Sequence, residues 1–417
     1  MSNKQEGDMT KSTGERRLVP TLRFPEFRDA GEWEHKELSP FVIEHSERVP
    51  ADTQLTIFSS TRNGLKPQKD YYDNRELIND GEYGVVPDGY FVYRHMSDDG
   101  AFKFNINTTG GQIAVSKEYP VFATINLHQD FLLHLLNDAE DFKRFAFAQK
   151  KGGTRTRLYL NTLCTWKALL PSYLEQQKIA DCLASLDELI TLESQQLDAL
   201  KTHKNGLLQQ LFPAPGEALP KLRFPEFRDA GEWVEEPLGK LSSYENGKAY
   251  EQDITEHGKY IVVNSRFIST DGAVRKYTNA EHLTAEVGDV LMVLSDLPKG
   301  KALAKCYFVE IDDRYAVNQR VCRLQADKVD AKFLFYILNR NSHLLSFDDG
   351  LNQTHLSKSN VLECPLCIPQ RREEQQRIAD CLTTIDAIIT AQAKKLVTLK
   401  TFKKGLGQQI FPGTDEE

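Results

Sequence analysis

The sequence has few cysteines, few tryptophans and no long apolar run. Its 417 residues include 7 Cys and 3 Trp, and an odd, sparse set of thiols does not suit a disulfide framework. No stretch of about 18 apolar residues is present, as a membrane-spanning helix would need. The N-terminal MSNKQEGDMTKSTGERR lacks the apolar centre of a secretory signal. We therefore expect reduced thiols, a flexible polar tail over residues 1–21 and a cytoplasmic protein.

The common catalytic motifs are also missing. The chain contains no GxxxxGK[ST], no GxGxxG after a strand, no HExxH and no GxSxG. The CPLC segment at Cys364–Cys367 has no second ligand pair at a distance that suits zinc, so buried strand thiols are the better interpretation. These absences predict a chain without catalytic residues, a metal site or a cofactor of its own.

Positive charge is in deficit, since 52 Lys and Arg face 60 Asp and Glu and the net charge is -8. This balance argues weakly against nucleic-acid binding, which usually needs a basic face. One segment reverses the balance: residues 142–174 contain no acid and seven Lys or Arg. Its centre, QKKGGTRTR, is a basic loop with two glycines, which would let main-chain amides and cationic side chains approach phosphates.

Two repeats organise the chain. LRFPEFRDAGEW occurs at residues 22–33 and again at 222–233, and a 39-residue segment from Glu175 matches one from Glu374 at 22 positions. Such repeats indicate one structural unit used twice. We predict a polar tail (1–21), a mixed domain with its LRFPEF segment (22–172), helix 1 (173–212), a linker with the second LRFPEF segment and mixed domain (213–370), helix 2 (371–412) and a tail (413–417).

The 39-residue repeat predicts a helix of about 55 Å with a narrow apolar stripe, because apolar residues recur at spacings of four and three. Glu193, Gln392, Lys204 and Lys403 are polar positions in this stripe. The stripe could be buried within each domain, but it suits pairing of the two copies better. The seam residues are Ile179, Leu183, Leu186, Ile190, Leu197, Leu200, Leu207 and Leu211 in the first copy and Ile378, Leu382, Ile385, Ile389, Leu396, Leu399, Leu406 and Ile410 in the second.

The connections predict the direction of pairing. Because domain termini usually lie close together, helix 2 should begin near the end of helix 1, and the two should run antiparallel. The predicted fold class is therefore α+β, with two mixed α/β domains at opposite ends of an antiparallel pair of long coiled-coil helices, related by a pseudo-two-fold axis. In each LRFPEF segment Phe24, Phe27 and Trp33, or their counterparts, should clamp a domain against a helix end.

Each mixed domain reads as short strands followed by helices. The predicted strands are LTIFSS, GYFVYRH and QIAVS in the first and KYIVVNSRFI, GDVLMVLS, KCYFVEI and NQRVCRL in the second. The predicted helices are INLHQDFLLHLLN and AKFLFYILNRNSHLL. The ends of the two domains align weakly, with Thr156 opposite Thr354, which indicates one fold with different exposed residues.

The basic loop of the first domain and the polar loop GLNQTHLSKSN at the matching place in the second supply candidate DNA contacts, together with other surface cations. Arginine and lysine suit phosphates and guanine edges, and Asn and Gln suit adenine edges, although solvated surface or turn chemistry would explain each residue singly. The candidates in the first domain are Arg62, Lys66, Arg94, Lys150, Lys151, Thr154, Arg155 and Arg157. Those in the second are Arg266, Arg275, Lys299, Lys301, Asn352, Gln353, Thr354, His355 and Lys358.

Nearly the whole chain resembles the specificity subunit of type I restriction-modification enzymes. The resemblance rests on the doubled EQQ-I-A helix opening, the doubled G-L-x-Q-Q-[LI]-F-P ending and the doubled LRFPEF segment. It implies that the mixed domains are target recognition domains, each binding one half of a split double-stranded DNA site, and that the helices set the spacer. It also implies two modification (methyltransferase) subunits with S-adenosylmethionine and restriction/translocase subunits with ATP and Mg as partners.

A second hypothesis comes from a different class, a non-enzymatic coiled-coil scaffold whose end domains bind proteins. The basic loop favours the DNA reader, and the net acidity favours the scaffold. A self-contained nuclease or methyltransferase is disfavoured by the missing motifs.

Overall fold

A computed structural model describes residues 19–72, 81–150, 154–298, 300–312 and 314–412. The chain forms two compact units, one comprising Met1–Ser194 with Lys394–Glu417 and the other Gln195–Ala393. Two helices of 39 residues are shared between them, because each unit takes one part of each helix.

The first unit pairs its strands into small antiparallel sheets, with orders β10-β6-β3 and β2-β11-β7-β9 and the pairs β1-β13, β12-β8 and β4-β5. Its strands are β1 (Glu34–Glu37), β2 (Val42–His45), β3 (Arg48–Pro50), β4 (Phe58–Thr61), β5 (Gly64–Pro67), β6 (Glu82–Val86), β7 (Phe91–Tyr93), β8 (Met96–Ser97), β9 (Phe104–Ile106), β10 (Ile113–Ser116), β11 (Val121–Thr124), β12 (Thr156–Arg157) and β13 (Lys167–Leu170). Its helices are α1 (Gln68–Tyr71), α2 (Gln129–Asp138), α3 (Glu140–Ala148), α4 (Leu160–Cys164), the first part of α5 (Tyr173–Leu211) and the last part of α10 (Arg372–Ile410).

Aromatic side chains fill the core under the four-stranded sheet. Phe91 stacks on Phe122 with ring centroids 4.7 Å apart, and Tyr93 lies 4.4 Å from Phe104. The buried Tyr93 hydroxyl donates to the Leu158 carbonyl oxygen at 3.0 Å, and burial raises the pKa of this phenol. This bond fixes the main chain just after the basic loop to the centre of the core.

The second unit has a four-stranded sheet β15-β24-β20-β22, a five-stranded sheet β16-β18-β17-β23-β19 and the pairs β14-β26 and β21-β25. Its strands are β14 (Val234–Pro237), β15 (Ser242–Asn246), β16 (Ile254–Thr255), β17 (Tyr260–Val263), β18 (Tyr277–Thr278), β19 (Thr284–Ala285), β20 (Val290–Val293), β21 (Ser295–Asp296), β22 (Cys306–Phe308), β23 (Tyr315–Val317), β24 (Val321–Ala326), β25 (Thr354–His355) and β26 (Pro365–Ile368). Its helices are α6 (Ser265–Ser269), α7 (Ala331–Leu338), α8 (Ser342–Leu345), α9 (Lys358–Leu362) and parts of α5 and α10 (Arg372–Ile410).

Two sequence predictions about this unit were wrong in part. The KYIVVNSRFI strand ends at Val263, because the Asn264 side chain accepts from the Phe267 amide and caps α6. The AKFLFYILNRNSHLL helix is broken into α7 and α8, because Arg340 adopts a left-handed φ of 62° and Asn341 caps the second helix. Polar capping thus overrides the apolar pattern at both places.

The two long helices pair antiparallel within the first unit. Ile179 and Leu183 of α5 share a buried cluster with Ile410 of α10. Asp187 of α5 pairs with Lys403 of α10, and Glu193, which comes later in α5, pairs with Lys395, which comes earlier in α10. Both Nζ–carboxylate distances are 2.6 Å. The second unit shows the same direction, since Leu211 joins the cluster of Ile378 and Leu382, and Lys204 lies 2.6 Å from the Asp386 carboxylate.

All the predicted seam residues are buried or half-buried. The buried ones are Ile179, Leu183, Leu197, Leu211, Ile378, Leu382, Ile385, Leu396 and Ile410, and the half-buried ones are Leu186, Ile190, Leu200, Leu207, Ile389, Leu399 and Leu406. The two lysines that interrupt the stripe are satisfied by acids of the other helix rather than by solvent.

The LRFPEF segment is joined to the helices by a buried ion pair. Arg23 donates from Nε and Nη2 to the two Glu175 carboxylate oxygens at 2.7 Å, and Trp33 Nε1 donates to the same carboxylate at 3.2 Å. The Leu22 amide donates to the Gln409 carbonyl at 3.0 Å, which satisfies an otherwise open helix end. In the second unit Arg223, Trp233 and Glu374 make the same bonds, and the Leu222 amide donates to the Gln210 carbonyl.

The next residue of each helix opening binds the mixed domain. The Gln176 side chain accepts from the His128 amide at 3.0 Å and donates to the Pro171 carbonyl at 2.9 Å. Gln375 repeats this with the Asp330 amide and the Pro369 carbonyl, at 2.8 and 2.9 Å. The repeated EQQ opening therefore fixes each domain to its helix through charge on one side and main-chain atoms on the other.

Candidate nucleic-acid interface

The basic loop of the first unit ends in a short strand beside β8. Thr156 pairs with Ser97 and Arg157 with Met96, and the Leu158 amide donates to the His95 carbonyl at 2.8 Å. Side chains alternate along a strand. Thr156 and Leu158 are accordingly buried, whereas Arg155 and Arg157 are exposed. The strand pair thus presents two arginines outward from a fixed main chain.

Two adjacent acids, Asp98 and Asp99, each form an ion pair with one of the predicted arginines. Arg62, in the turn between β4 and β5, donates to Asp99 Oδ1 at 2.5 Å, and Arg155 donates to Asp98 Oδ1 at 2.9 Å. Asp99 also accepts from the Ser97 hydroxyl and the Ala101 amide. The Arg62 guanidinium, followed by these two donors, lowers the pKa of Asp99. Residues distant in sequence are therefore brought to one surface.

These ion pairs are exposed, since 65% of the Arg62 side chain and 51% of the Arg155 side chain are accessible to solvent. Exposed pairs contribute little to stability. A phosphate could therefore replace Asp98 or Asp99 as the partner of either arginine at small cost, while the acids hold the guanidinium groups in place beforehand.

The remaining candidates of the first unit are spread around this strand pair. Arg94 is exposed just before β8, and Lys66 is exposed on β5, opposite Ser59 of the hairpin that carries Arg62. Thr154 and Lys150 are exposed near the ends of the loop. Lys151 lies outside the residues that the structure describes.

The second unit repeats the strand pair with different side chains. Ser295 pairs with His355 and Asp296 with Thr354, and the Leu356 amide donates to the Leu294 carbonyl at 2.8 Å. His355 is exposed, Thr354 is half-buried and Leu356 is buried. The loop before β25 is polar instead of basic, as the sequence indicated.

The amides of this loop are held by neighbouring polar groups. Gln353 Nε2 donates to the Ser295 hydroxyl at 2.9 Å, and Asn352 Nδ2 donates to Asp349 Oδ2 at 3.1 Å. The Lys358 ammonium lies 5.5 Å from the centre of the Tyr244 ring, within the range of a cation–π contact. All three predicted side chains are exposed and pre-oriented at the same strand pair.

Lys301 lies on a loop that Asp296 organises. Asp296 Oδ2 accepts from the Ala302 amide at 2.6 Å and the Leu303 amide at 3.3 Å. At Gly300 a Cβ atom would come within 2.1 Å of this same oxygen, so a side chain there would displace the carboxylate that organises the loop. Lys301 is exposed, and Lys299 lies outside the described residues.

Two candidates belong to another part of the second unit. Arg266 is exposed on α6, which follows β17 of the five-stranded sheet. Arg275 donates from Nε to the Gly272 carbonyl at 2.9 Å in the turn that follows α6. Both therefore border the five-stranded sheet rather than the strand pair.

Sequence reasoning missed the acids that shape these loops. Asp98, Asp99, Asp296 and Asp349 each accept from a main-chain amide or a cationic side chain. Their signal was present as Asp next to turn-forming segments, MSDDG, SDLPKG and FDDG. The net charge hides this signal, because it counts the same acids only as a deficit of positive charge.

Among the residues with described positions, no group of three or more His, Cys, Asp or Glu is placed to hold a metal ion. Cys364 is buried next to β26 and Cys367 is half-buried within it, and burial raises the pKa of both thiols, to about 12 for Cys364. In the same described ranges, no helix combines the length and the apolar character needed to cross a bilayer.

Comparison with known sequences agrees with the repeat architecture. The family model described as type I restriction modification DNA specificity domain matches residues 68–202 and 230–401. The type I restriction enzyme MjaVIII specificity subunit of Methanocaldococcus jannaschii is 26% identical over 266 residues, which are 59% of this chain and 61% of that protein. The putative MjaX specificity subunit of the same organism is 24% identical over 88% of this chain and 94% of its own length.

Solved structures share the fold. The S subunit of a type I restriction-modification system from M. genitalium superposes with a TM-score of 0.60 at 13% identity, covering 95% of this chain and 100% of that one. A structure described under complex assembly and conformational transition of the type I R-M system superposes with a TM-score of 0.53 at 17% identity. The match covers 91% of this chain and 98% of that one.

Proposed function

The chain belongs to the type I restriction-modification DNA specificity family, and from this premise we propose that it reads a bipartite sequence in double-stranded DNA. Each unit binds one half-site through its short strand pair and the loops beside it. The long helices, to which both units contribute, set the number of base pairs between the halves.

One observation carries this proposal: the same strand pair is built twice and carries different exposed residues. In both units a buried leucine, Leu158 or Leu356, bonds to the neighbouring strand and fixes the loop. The first unit then exposes Arg155 and Arg157, and the second exposes Gln353 and His355. A constant frame with variable outward groups is what two readers of different base sequences require.

We assign no catalytic step to this chain. The nucleotide-binding and hydrolytic motifs were missing from its sequence. S-adenosylmethionine, ATP and Mg are expected on modification and restriction/translocase subunits, which carry out methylation, translocation and cleavage.

Partner docking is supported by exposed residues that are identical in both repeats, although packing of the core does not explain why they are identical. Arg28, Asp29 and Glu32 are exposed, as are their counterparts Arg228, Asp229 and Glu232. The core explains why Trp33 and Phe24 recur, but it does not explain the exposed triplet. Two copies of one modification subunit, each seated on one unit, would need the same surface twice.

Methylation mapping tests the proposal. The chain is expressed with its modification subunit in a host without adenine methylation, and methylated adenines are located across the genome. We expect a motif of two short halves around a fixed spacer, and exchange of residues 34–171 should change one half only. The absence of any motif, with an active modification subunit, would instead favour a coiled-coil scaffold that binds proteins.

A further inference from the structure

Two leucines stand out on the second unit's strand pair. Leu351, before β25, is 80% exposed, and Leu297, directly after β21, is 69% exposed. Single exposed leucines are common on protein surfaces. Leu297 directly follows Asp296, which pairs with Thr354, and Leu351 precedes Thr354 by three residues, so the two leucines form a localised apolar feature at one end of the strand pair.

The main chain under both leucines is fixed. Asp296 Oδ1 accepts from the Leu297 amide at 2.8 Å, and the Leu297 carbonyl accepts from the Gly300 amide at 2.9 Å. Asp349 Oδ1 accepts from the Leu351 amide at 2.8 Å and from the Asn352 amide at 2.9 Å. The turns therefore hold these side chains toward solvent.

The surroundings favour nucleic acid over protein as the group that covers them. Lys301 and Lys358 supply positive charge, and Asn352 and Gln353 supply side-chain amides. The neighbouring acids Asp296 and Asp349 are engaged by main-chain amides. A protein-binding patch is usually apolar over a few hundred Å², whereas these leucines alternate with polar and cationic groups. A protein in the major groove contacts the flanking phosphates through cations. It contacts adenine edges through side-chain amides and the C5 methyl group of thymine through apolar side chains.

We propose that Leu297 and Leu351 read thymine C5 methyl groups in the half-site bound by the second unit. The inference rests on the proposed function and specifies its chemistry. In the first unit the residue at the place of Leu297, directly after β8, is Asp98, which is paired with Arg155. Of the strand pairs that the structure describes, the one in the second unit is therefore assigned this methyl recognition.

The test uses the complex with its modification subunit and duplexes carrying the mapped motif. Each thymine of the second half-site is replaced in turn by deoxyuridine, which removes only the methyl group. At the contacted thymine we expect about fourfold weaker binding, equivalent to one buried methyl group. Leu351→Ala or Leu297→Ala should bind the thymine and deoxyuridine duplexes equally at that position.

The control is deoxyuridine in the first half-site, where the leucine substitutions should change nothing. Equal binding of the thymine and deoxyuridine duplexes by the wild-type complex overturns the inference. A second half-site without thymine on either strand overturns it as well. Persistence of the methyl preference in the Leu297→Ala, Leu351→Ala double variant overturns it too. Failure of the proposed function is distinct, because the unmodified complex would then show no motif and no preference for any duplex.

Discussion

Glu175 shows how much one buried carboxylate can decide. Its side chain is 1% exposed and accepts from Nε and Nη2 of Arg23, whose side chain is 7% exposed. A buried pair is a weak source of net stability, but removing one partner leaves the other charge uncompensated. Although the sequence showed that Glu175 recurs as Glu374, its partner lies 152 residues away, and spacing alone does not identify such a contact.

We predict that Glu175→Gln destabilises the first unit by about 3 kcal/mol, because Arg23 then stays buried without a counter-ion. Hydrogen exchange should increase in residues 22–33 and in the start of α5, but not in residues 222–233. Glu26→Gln is the matched control, since Glu26 pairs with exposed Lys178 at 3.2 Å and its loss should leave stability nearly unchanged. Unchanged exchange in Glu175→Gln would refute the role of the pair.

At the scale of elements, the long helices were the most predictable part of the fold. Their stripe is periodic over 39 residues, so spacing determined which side chains are buried. The short strands were predicted less well, since β8, β12, β21 and β25 have two residues each and depend on tertiary pairing. The basic and polar loops were found from composition, but the acids that position them were not.

The interhelical lysines allow a charge-exchange experiment. Lys403 donates to both Asp187 oxygens, at 2.6 and 2.7 Å, within the first unit. We expect Lys403→Glu to lower the melting temperature, because two carboxylates would face each other in a half-buried seam. The double variant Lys403→Glu, Asp187→Lys should recover part of the loss. If the stability lost in the double variant equals the sum of the losses in the two single variants, the pair does not couple the helices.

At the scale of the whole molecule, the deficit of positive charge predicts weak, salt-dependent affinity of the chain for DNA. The net charge is -8, and phosphate neutralisation supplies most DNA affinity. The chain alone should bind duplex DNA weakly, and more tightly with its modification subunit, as measured by fluorescence anisotropy across a salt series.

Within that series, Arg155→Ala should reduce the slope of log affinity against log salt by about 0.9 if Arg155 contacts a phosphate. Arg266→Ala is a comparison from outside the strand pairs and should leave the slope unchanged. Equal effects of both substitutions would mean that the strand pair is not the binding surface.

Gln176 and Gln375 have a further consequence. The side chain of each hydrogen-bonds to its mixed domain through a main-chain amide and a main-chain carbonyl, and the residues that supply the amides, His128 and Asp330, are of different types. These two hydrogen bonds therefore do not depend on the domain's side chains, whereas the apolar packing of Ile179 and Ile378 against the domain cores does. A foreign domain with a helix start and a final strand in the same places would keep both bonds and would need only a compatible apolar surface toward the helix. New specificities can then arise by recombination as well as by stepwise mutation.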